Sequence, residues 1–231
     1  LSTNYNRRNK NVRLYELGNI YLPKQVPVTE LPDERMQFTL GMYGEGDFYT
    51  MKGVVEEFFD CIGMKKKVVY DPASGKPFLH PGRQADIVYE GKKLGYLGEV
   101  HPEVCDNYDI GTKVYVAVLD MPEVEPFATF DRKYEGIAKY PAVSRDISMV
   151  VPKPILAGQI EAVIAQRGGK ILESYQLFDI YEGAQIKDGF KSMAYSITFR
   201  AKDKTLEEGD IAAVMKKILN GLEGLGIELR Q

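Results

Sequence analysis

Hydrophobic and polar positions alternate most strictly from Lys191 to Arg200. Met193, Tyr195, Ile197 and Phe199 fall on one side, and Ser192, Ala194, Ser196, Thr198 and Arg200 on the other. That period belongs to a strand with one buried face. Upstream, Ile147–Val151 predicts a strand, and Leu156, Ile160, Val163 and Ile164 mark a helix ended by Gly168-Gly169. Ile171–Tyr181 reads as a long strand and Glu182–Gly189 as a loop. Downstream, Thr205 and Glu208 have the spacing of a capping box. Ile211, Val214, Met215, Ile218, Leu219 and Leu222 then form an apolar helical stripe that Gly224 and Gly226 end, before a final strand at Ile227–Arg230. The order strand, helix, strand, strand, helix, strand predicts a ferredoxin-like split unit. Two helices then cover one sheet face, leaving a small, polar face free as a platform.

The first half reads as mixed and mostly antiparallel. Arg13–Leu17 and Ile20–Leu22 flank Gly18-Asn19 as a hairpin, and Gln37–Tyr43 is a third strand. Asp47 offers an N-cap for a helix carrying Met51, Val54, Val55, Phe58, Phe59 and Ile62, stopped by Gly63. That stripe reads as core packing or half of a helix–helix interface. Lys66–Tyr70 is a further strand, Asp71–Pro77 a loop, and Glu90-Gly91 joins Gln84–Tyr89 to Lys93–Gly98. A short helix opens at Pro102 with His101 near its N-cap, and Val114–Asp120 is the closing strand. Met121–Arg132 carries two prolines and no periodicity. The expected division is a first domain of residues 1–125, a linker at 126–139 and a second domain of residues 140–231.

Composition changes this picture little. The 231 residues are 44% hydrophobic and 27% charged, with net charge −3, so no general pull toward nucleic acid exists and an RNA partner needs a local patch. Residues 140–231 hold equal numbers of acids and bases. Lys187, Lys191, Arg200, Lys202 and Lys204 nevertheless outnumber Asp188 and Asp203 between positions 187 and 204. Cys61 and Cys105 sit in apolar or helical stretches and read as buried free thiols of a reducing compartment. No apolar run is long enough to span a membrane, and the start at Leu1 reads as a piece cut from a longer protein.

Chemistry-bearing motifs are sparse. His80 and His101 are the two histidines, each followed by proline and without a close second ligand, so no metal site is expected. There is no nucleophile elbow and no glycine-rich turn between strand and helix for a nucleotide. Arg83 has the chemistry to grip a carboxylate or phosphate, but reads as bracing its turn. The aromatic pattern of RNA-recognition sheets is also missing.

Two ordered sets of motifs are more specific. The first is Arg13-Leu14-Tyr15-Glu16-Leu17-Gly18, Tyr49-Thr50-Met51-Lys52-Gly53, His80-Pro81-Gly82-Arg83, and Gly95 through Pro102. The second is Tyr140 through Ile147, Leu177 through Gly183, Lys191-Ser192-Met193-Ala194, and Lys204-Thr205-Leu206. Together they resemble the C-terminal third of the bacterial phenylalanyl-tRNA synthetase beta chain. The resemblance implies an α+β protein: a class II synthetase-like antiparallel sheet domain, truncated at its N-terminus and without an active site, then a ferredoxin-fold anticodon-binding domain. It implies an alpha-subunit partner in a cytoplasmic α2β2 heterotetramer, with ATP and Mg2+ used by the alpha chain and no cofactor in this piece. It implies tRNA(Phe) as the RNA, with no catalytic residue here. Tyr181 is then the residue to stack on an anticodon base, Ser192 a hydrogen-bonding group to a base edge or ribose, and Arg145 and Arg200 phosphate contacts. The same strand order also serves amino-acid-sensing regulatory modules, which is the alternative reading.

Overall fold

A computed structural model describes residues 1–132, 134, 136–183 and 185–230. Positions 133 and 135 of the expected linker, 184 of the expected loop, and the last residue lie outside the described residues. The chain divides into two units, Leu1–Lys133 and Tyr134–Gln231.

The first unit is built on a six-stranded sheet. A short helix α1 (Ser2–Asn6) precedes β1 (Val12–Leu22) and β2 (Asp33–Tyr43); α2 (Phe48–Cys61) follows, then β3 (Val69–Asp71), β4 (Leu79–Tyr89) and β5 (Lys92–Val100). The helix α3 (Pro102–Asn107), β6 (Val114–Asp120) and a one-turn helix α4 (Met121–Val124) complete it. The strand order is β1-β2-β6-β5-β4-β3, every pair antiparallel. Met51, Val55 and Phe59 of α2 pack on one face against Leu40, Met42, Ile87, Leu97, Ala117 and Leu119. The other face carries a smaller cluster of Val12, Tyr43, Cys105, Ile110 and Val114.

At α2 the expected cap holds, while of the expected stripe Met51, Val55 and Phe59 are buried and Val54 is exposed. Asp47 caps the helix, accepting from the Thr50 N–H at 2.8 Å, while Thr50 Oγ1 accepts from the Asp47 N–H at 3.2 Å. Those bonds favour the ionised carboxyl and hold the Asp47 pKa below its usual range, the backbone bond from Thr50 contributing most.

Other expectations are corrected. Gly18-Asn19 makes no turn: both lie inside β1, opposite Gln37 and Met36, and the chain reverses over residues 23–32. Pairing with β2 runs unbroken through the glycine, so the local turn signal loses to an eleven-residue antiparallel ladder. The supposed turn at His80–Arg83 is a bulge within β4, where the register jumps between Leu79 and Gln84. Cys61 is exposed rather than buried, because it lies off the Met51, Val55, Phe59 stripe of α2. The stretch beginning at Met121 is not featureless. Val124 of α4 is fully buried, Phe127 packs on Tyr89 with ring centroids 4.9 Å apart, and the Thr129 N–H donates to Ile62 O at 2.8 Å. Proline at the first turn of a helix is tolerated, so Pro122 and Pro126 misled the reading.

The second unit contains β7 (Val143–Pro152), α5 (Ala157–Gly168), β8 (Leu172–Tyr181), β9 (Phe190–Phe199), α6 (Glu208–Glu223) and β10 (Glu228–Leu229). The antiparallel sheet has the order β10-β7-β9-β8, which is the ferredoxin-like arrangement. Ile160 and Ile164 of α5 and Ile211, Ile218 and Leu222 of α6 join Ile147, Met149, Val151, Met193, Tyr195, Ile197 and Phe199 in one core. The cap of α6 differs from the expected Thr205–Glu208 box. Glu207 is the N-cap and its N–H donates to Asp210 Oδ2 at 3.1 Å. The helix starts later because Leu206 is itself buried and Lys204 reaches forward to Asp210 at 2.6 Å.

Two stability measurements follow. Gly63 has φ +79°, and a Cβ there would lie 2.0 Å from Thr129 O. Gly63→Ala should therefore cost more than about 1 kcal/mol in urea unfolding. Asp47→Ala should cost about 1 kcal/mol at neutral pH. The folded pKa of Asp47 is depressed, so its contribution is present above the unfolded carboxyl value. It is lost as pH falls through the folded value, and the two proteins should converge in acid.

Candidate nucleic-acid interface

Residues facing one another across an antiparallel pair point to the same side of the sheet. Met193, Tyr195 and Ile197 meet the helices, so Ser192, Ala194, Ser196 and Thr198 face the opposite way. Their partners on β7 are Val150, Ser148, Asp146 and Ser144. Their partners on β8 are Tyr181, Asp179, Gln176 and Ser174. Neither helix of the unit covers this face. It is paved with small side chains and hydroxyls, among them the Ser144 and Thr198 hydroxyls 3.0 Å apart.

The four residues named from the sequence are dispersed across this frame. Tyr181 ends β8 directly opposite Ser192 and is 39% exposed. A Cβ at Gly183 would lie 2.3 Å from the Tyr181 hydroxyl, so a side chain at 183 would have to push the ring aside. Ser192 is on the open face but only 2% exposed, with its Oγ accepting from Arg230 Nη1 at 3.4 Å. Arg145 pairs with Ile197 and so emerges on the helix side, where Nη2 meets Glu208 at 2.5 Å. Arg200 lies just beyond β9, donating to Glu173 at 3.0 Å and to Tyr140 O at 3.1 Å. The structure thus brings Tyr181 and Ser192 together and sends both arginines to carboxylates. The basic stretch from Lys187 to Lys204 is also dispersed: Lys191 faces the helix side opposite Val151, and Lys204 is held by Asp210. Sequence reasoning missed Arg230, although Glu228-Leu229-Arg230 alternates as any strand does.

In the first unit both histidines and Arg83 make local contacts. His80 Nδ1 accepts from the Gly82 N–H at 3.1 Å, and His101 Nδ1 accepts from the Glu103 N–H at 3.3 Å. Arg83 reaches Glu99 at 2.9 Å, and the Glu99 side chain is 5% exposed. Burial, then the adjacent Glu99 carboxylate, pushes the Tyr115 pKa up. Among the described residues no group of three or more His, Cys, Asp or Glu side chains converges as a metal site, and no helix is long and apolar enough to cross a membrane.

The placements separate the two arginines experimentally. Arg200 makes charge-assisted bonds that tie β7's approach to β8, so Arg200→Ala should lower stability by about 1–2 kcal/mol in denaturant titration. Arg145 pairs with a largely exposed glutamate, so Arg145→Ala should stay within about 0.5 kcal/mol of the parent.

Comparison with known proteins agrees with this division. Residues 1–121 match the family described as phenylalanyl tRNA synthetase beta chain CLM domain, and residues 138–230 match the ferredoxin-fold anticodon binding domain. A phenylalanine–tRNA ligase beta subunit from Clostridium acetobutylicum is 42% identical over 231 residues, covering 100% of this chain and 29% of the relative. One from Clostridium tetani has the same figures. One from Shouchella clausii is 36% identical over 234 residues, covering 93% of this chain and 29% of the relative. The chain therefore spans less than a third of the length of these relatives. Among solved structures, the pyrrolysyl-tRNA synthetase of Desulfitobacterium hafniense aligns over 54% of this chain and 45% of its own at 11% identity and TM-score 0.42, too slight a likeness to bear on function. The match over more than half of the chain, continued by the second domain's own match, places it in the phenylalanyl-tRNA synthetase beta chain family.

Proposed function

We propose that this chain supplies subunit-interface and tRNA(Phe) anticodon-region binding to a phenylalanine–tRNA ligase whose aminoacylation chemistry resides in an alpha subunit. The observation that carries the RNA half is the open sheet face of the second unit. There Tyr181 stands half-exposed beside a row of small polar residues, with no helix of the unit over them. A flat, uncovered sheet with an aromatic ring at its edge is suited to stacking an unpaired base. The match to an anticodon-binding domain supports the same reading.

The interface half is supported by β1, an edge strand. Tyr15, Leu17 and Tyr21 are 75%, 55% and 61% exposed on the α2 side of the sheet. Leu14 and Leu22 are exposed on the other. A long apolar edge is an aggregation hazard unless a partner covers it. We assign that role to the alpha subunit, within a cytoplasmic α2β2 assembly.

ATP and Mg2+ belong, in this reading, to the alpha subunit. The described residues lining the first unit's open depression suit a nucleotide poorly. That depression is lined by Arg35, Lys76, Lys93, Tyr96, Asp120 and Glu123 among others. Arg35 there is committed to Asp33 and Asp120, and Lys93 to Asp86. Carboxylates at those positions would repel phosphates.

Gel-shift titration with tRNA(Phe) and an anticodon-scrambled control tests the reading. Tyr181→Ala should weaken binding about 5- to 150-fold, the worth of one stacked base, while the melting temperature holds. If the variant unfolds, Tyr181 is a structural residue. If the parent ignores the anticodon, the RNA reading fails. A thermal shift with free amino acids but not with tRNA would favour an amino-acid-sensing module instead.

A further inference from the structure

The side chain of Arg230, the last described residue of the chain, reaches Ser192, the residue directly opposite Tyr181. Leu229 pairs with Met149 on the helix side of β7, and the Arg230 N–H donates to Ser148 O at 2.8 Å. Alternation therefore puts Arg230, like Ser148, on the open face. Its guanidinium crosses β7 to reach β9 and the loop before it. Nη1 donates to Ser192 Oγ at 3.4 Å and Nη2 to Gln185 Oε1 at 3.5 Å.

Both acceptors are neutral, and both distances lie at the far limit of hydrogen bonding. Of the neighbouring cations, Arg145, Lys153, Arg200 and Lys204 each face a carboxylate, while Lys191 donates to the Lys153 carbonyl and Lys187 lies over the Phe190 ring. Among the described residues Arg230 has no acidic partner within ion-pair distance, although Asp146, Asp179 and Glu228 share its face by register. It is exposed, yet the Ser192 whose hydroxyl it contacts is 2% exposed. One row of the sheet thus holds a half-exposed ring, a hydroxyl under a guanidinium, and a charge without an acidic partner among the described residues.

We propose that Arg230 is the phosphate clamp of this surface, parked on Ser192 and Gln185 when RNA is absent. A base stacking on Tyr181 brings its phosphate within reach of the guanidinium. Leaving two weak neutral bonds for a charge-assisted one is favourable. The same movement uncovers Ser192 Oγ, which then meets the ribose or base edge. The inference rests on the anticodon-region reading and replaces Arg145 and Arg200 as the phosphate contacts of that site.

The test uses the whole chain and the anticodon stem-loop of tRNA(Phe), with a loop-scrambled stem-loop as control, titrated at several salt concentrations. Arg230→Gln removes the charge and shortens the side chain, so it takes away both the clamp and its resting contacts to Ser192 and Gln185. It should weaken binding roughly three- to ten-fold near 0.15 M salt and flatten the slope of log affinity against log salt by about 0.7. Arg230→Lys should retain the parent slope. Unchanged melting temperatures would confirm that both variants fold. If the parent binds the native loop in preference to the scrambled one and Arg230→Gln matches its affinity and slope, the clamp is wrong while the anticodon reading stands. If the parent shows no preference, both fall together.

Discussion

A four-stranded sheet has two faces, and in the second unit two helices cover one of them. Right-handed crossovers place both helices of a ferredoxin-like unit on the same side. β9 lies between β7 and β8, so its side chains are where this one-sidedness is felt most. Met193, Tyr195, Ile197 and Phe199 are each at most 1% exposed, and burying such a side chain is worth about 1.5–3 kcal/mol. Their alternates face the other way, where neither helix of the unit lies. Ser192, Ala194, Ser196 and Thr198 suit that side because they expose little apolar surface. The open face is a consequence of the core.

The two units treat their charges differently. In the first, Arg83 is spent on Glu99, Lys93 on Asp86, and Arg35 on Asp33 and Asp120. Its outward resource is apolar, along β1. In the second, Arg145, Lys153, Arg200 and Lys204 face carboxylates, and the open face carries hydroxyls, a ring at Tyr181, the carboxyl groups of Asp146, Asp179 and Glu228, and the guanidinium of Arg230. Under the proposed function, the apolar edge takes a protein partner and the polar platform a strand of RNA.

Much of this was legible in the residues, for identifiable reasons. The β9 alternation, the α2 cap at Asp47 and the α6 stripe are local patterns, and local patterns survive into the structure. Partnerships between distant positions are not local. Nothing near Arg145 names Glu208 as its partner, sixty-three residues away, and nothing near Arg200 names Glu173. Both therefore read as unpaired in the sequence, whereas each faces a carboxylate. The placement of Arg230 needed the register of β10 on β7, which two residues of ladder establish and no periodicity reveals. The Gly18-Asn19 signal failed for the opposite reason: a local turn preference was overridden by the long pairing of β1 with β2. Tyr181 and Ser192 could be named from a motif, but their adjacency depends on the irregular register between Leu177 and Asp179.

The central claim is that RNA meets the uncovered sheet face and not the helices. Methyl chemical-shift mapping with the anticodon stem-loop of tRNA(Phe) tests it directly. Ala194, Thr198 and Val150 carry methyl groups on the open face, whereas Val163 of α5 and Val214 of α6 lie on the helical side. The account predicts that the first three shift on binding and the last two do not. Shifts confined to Val163 and Val214 would contradict it.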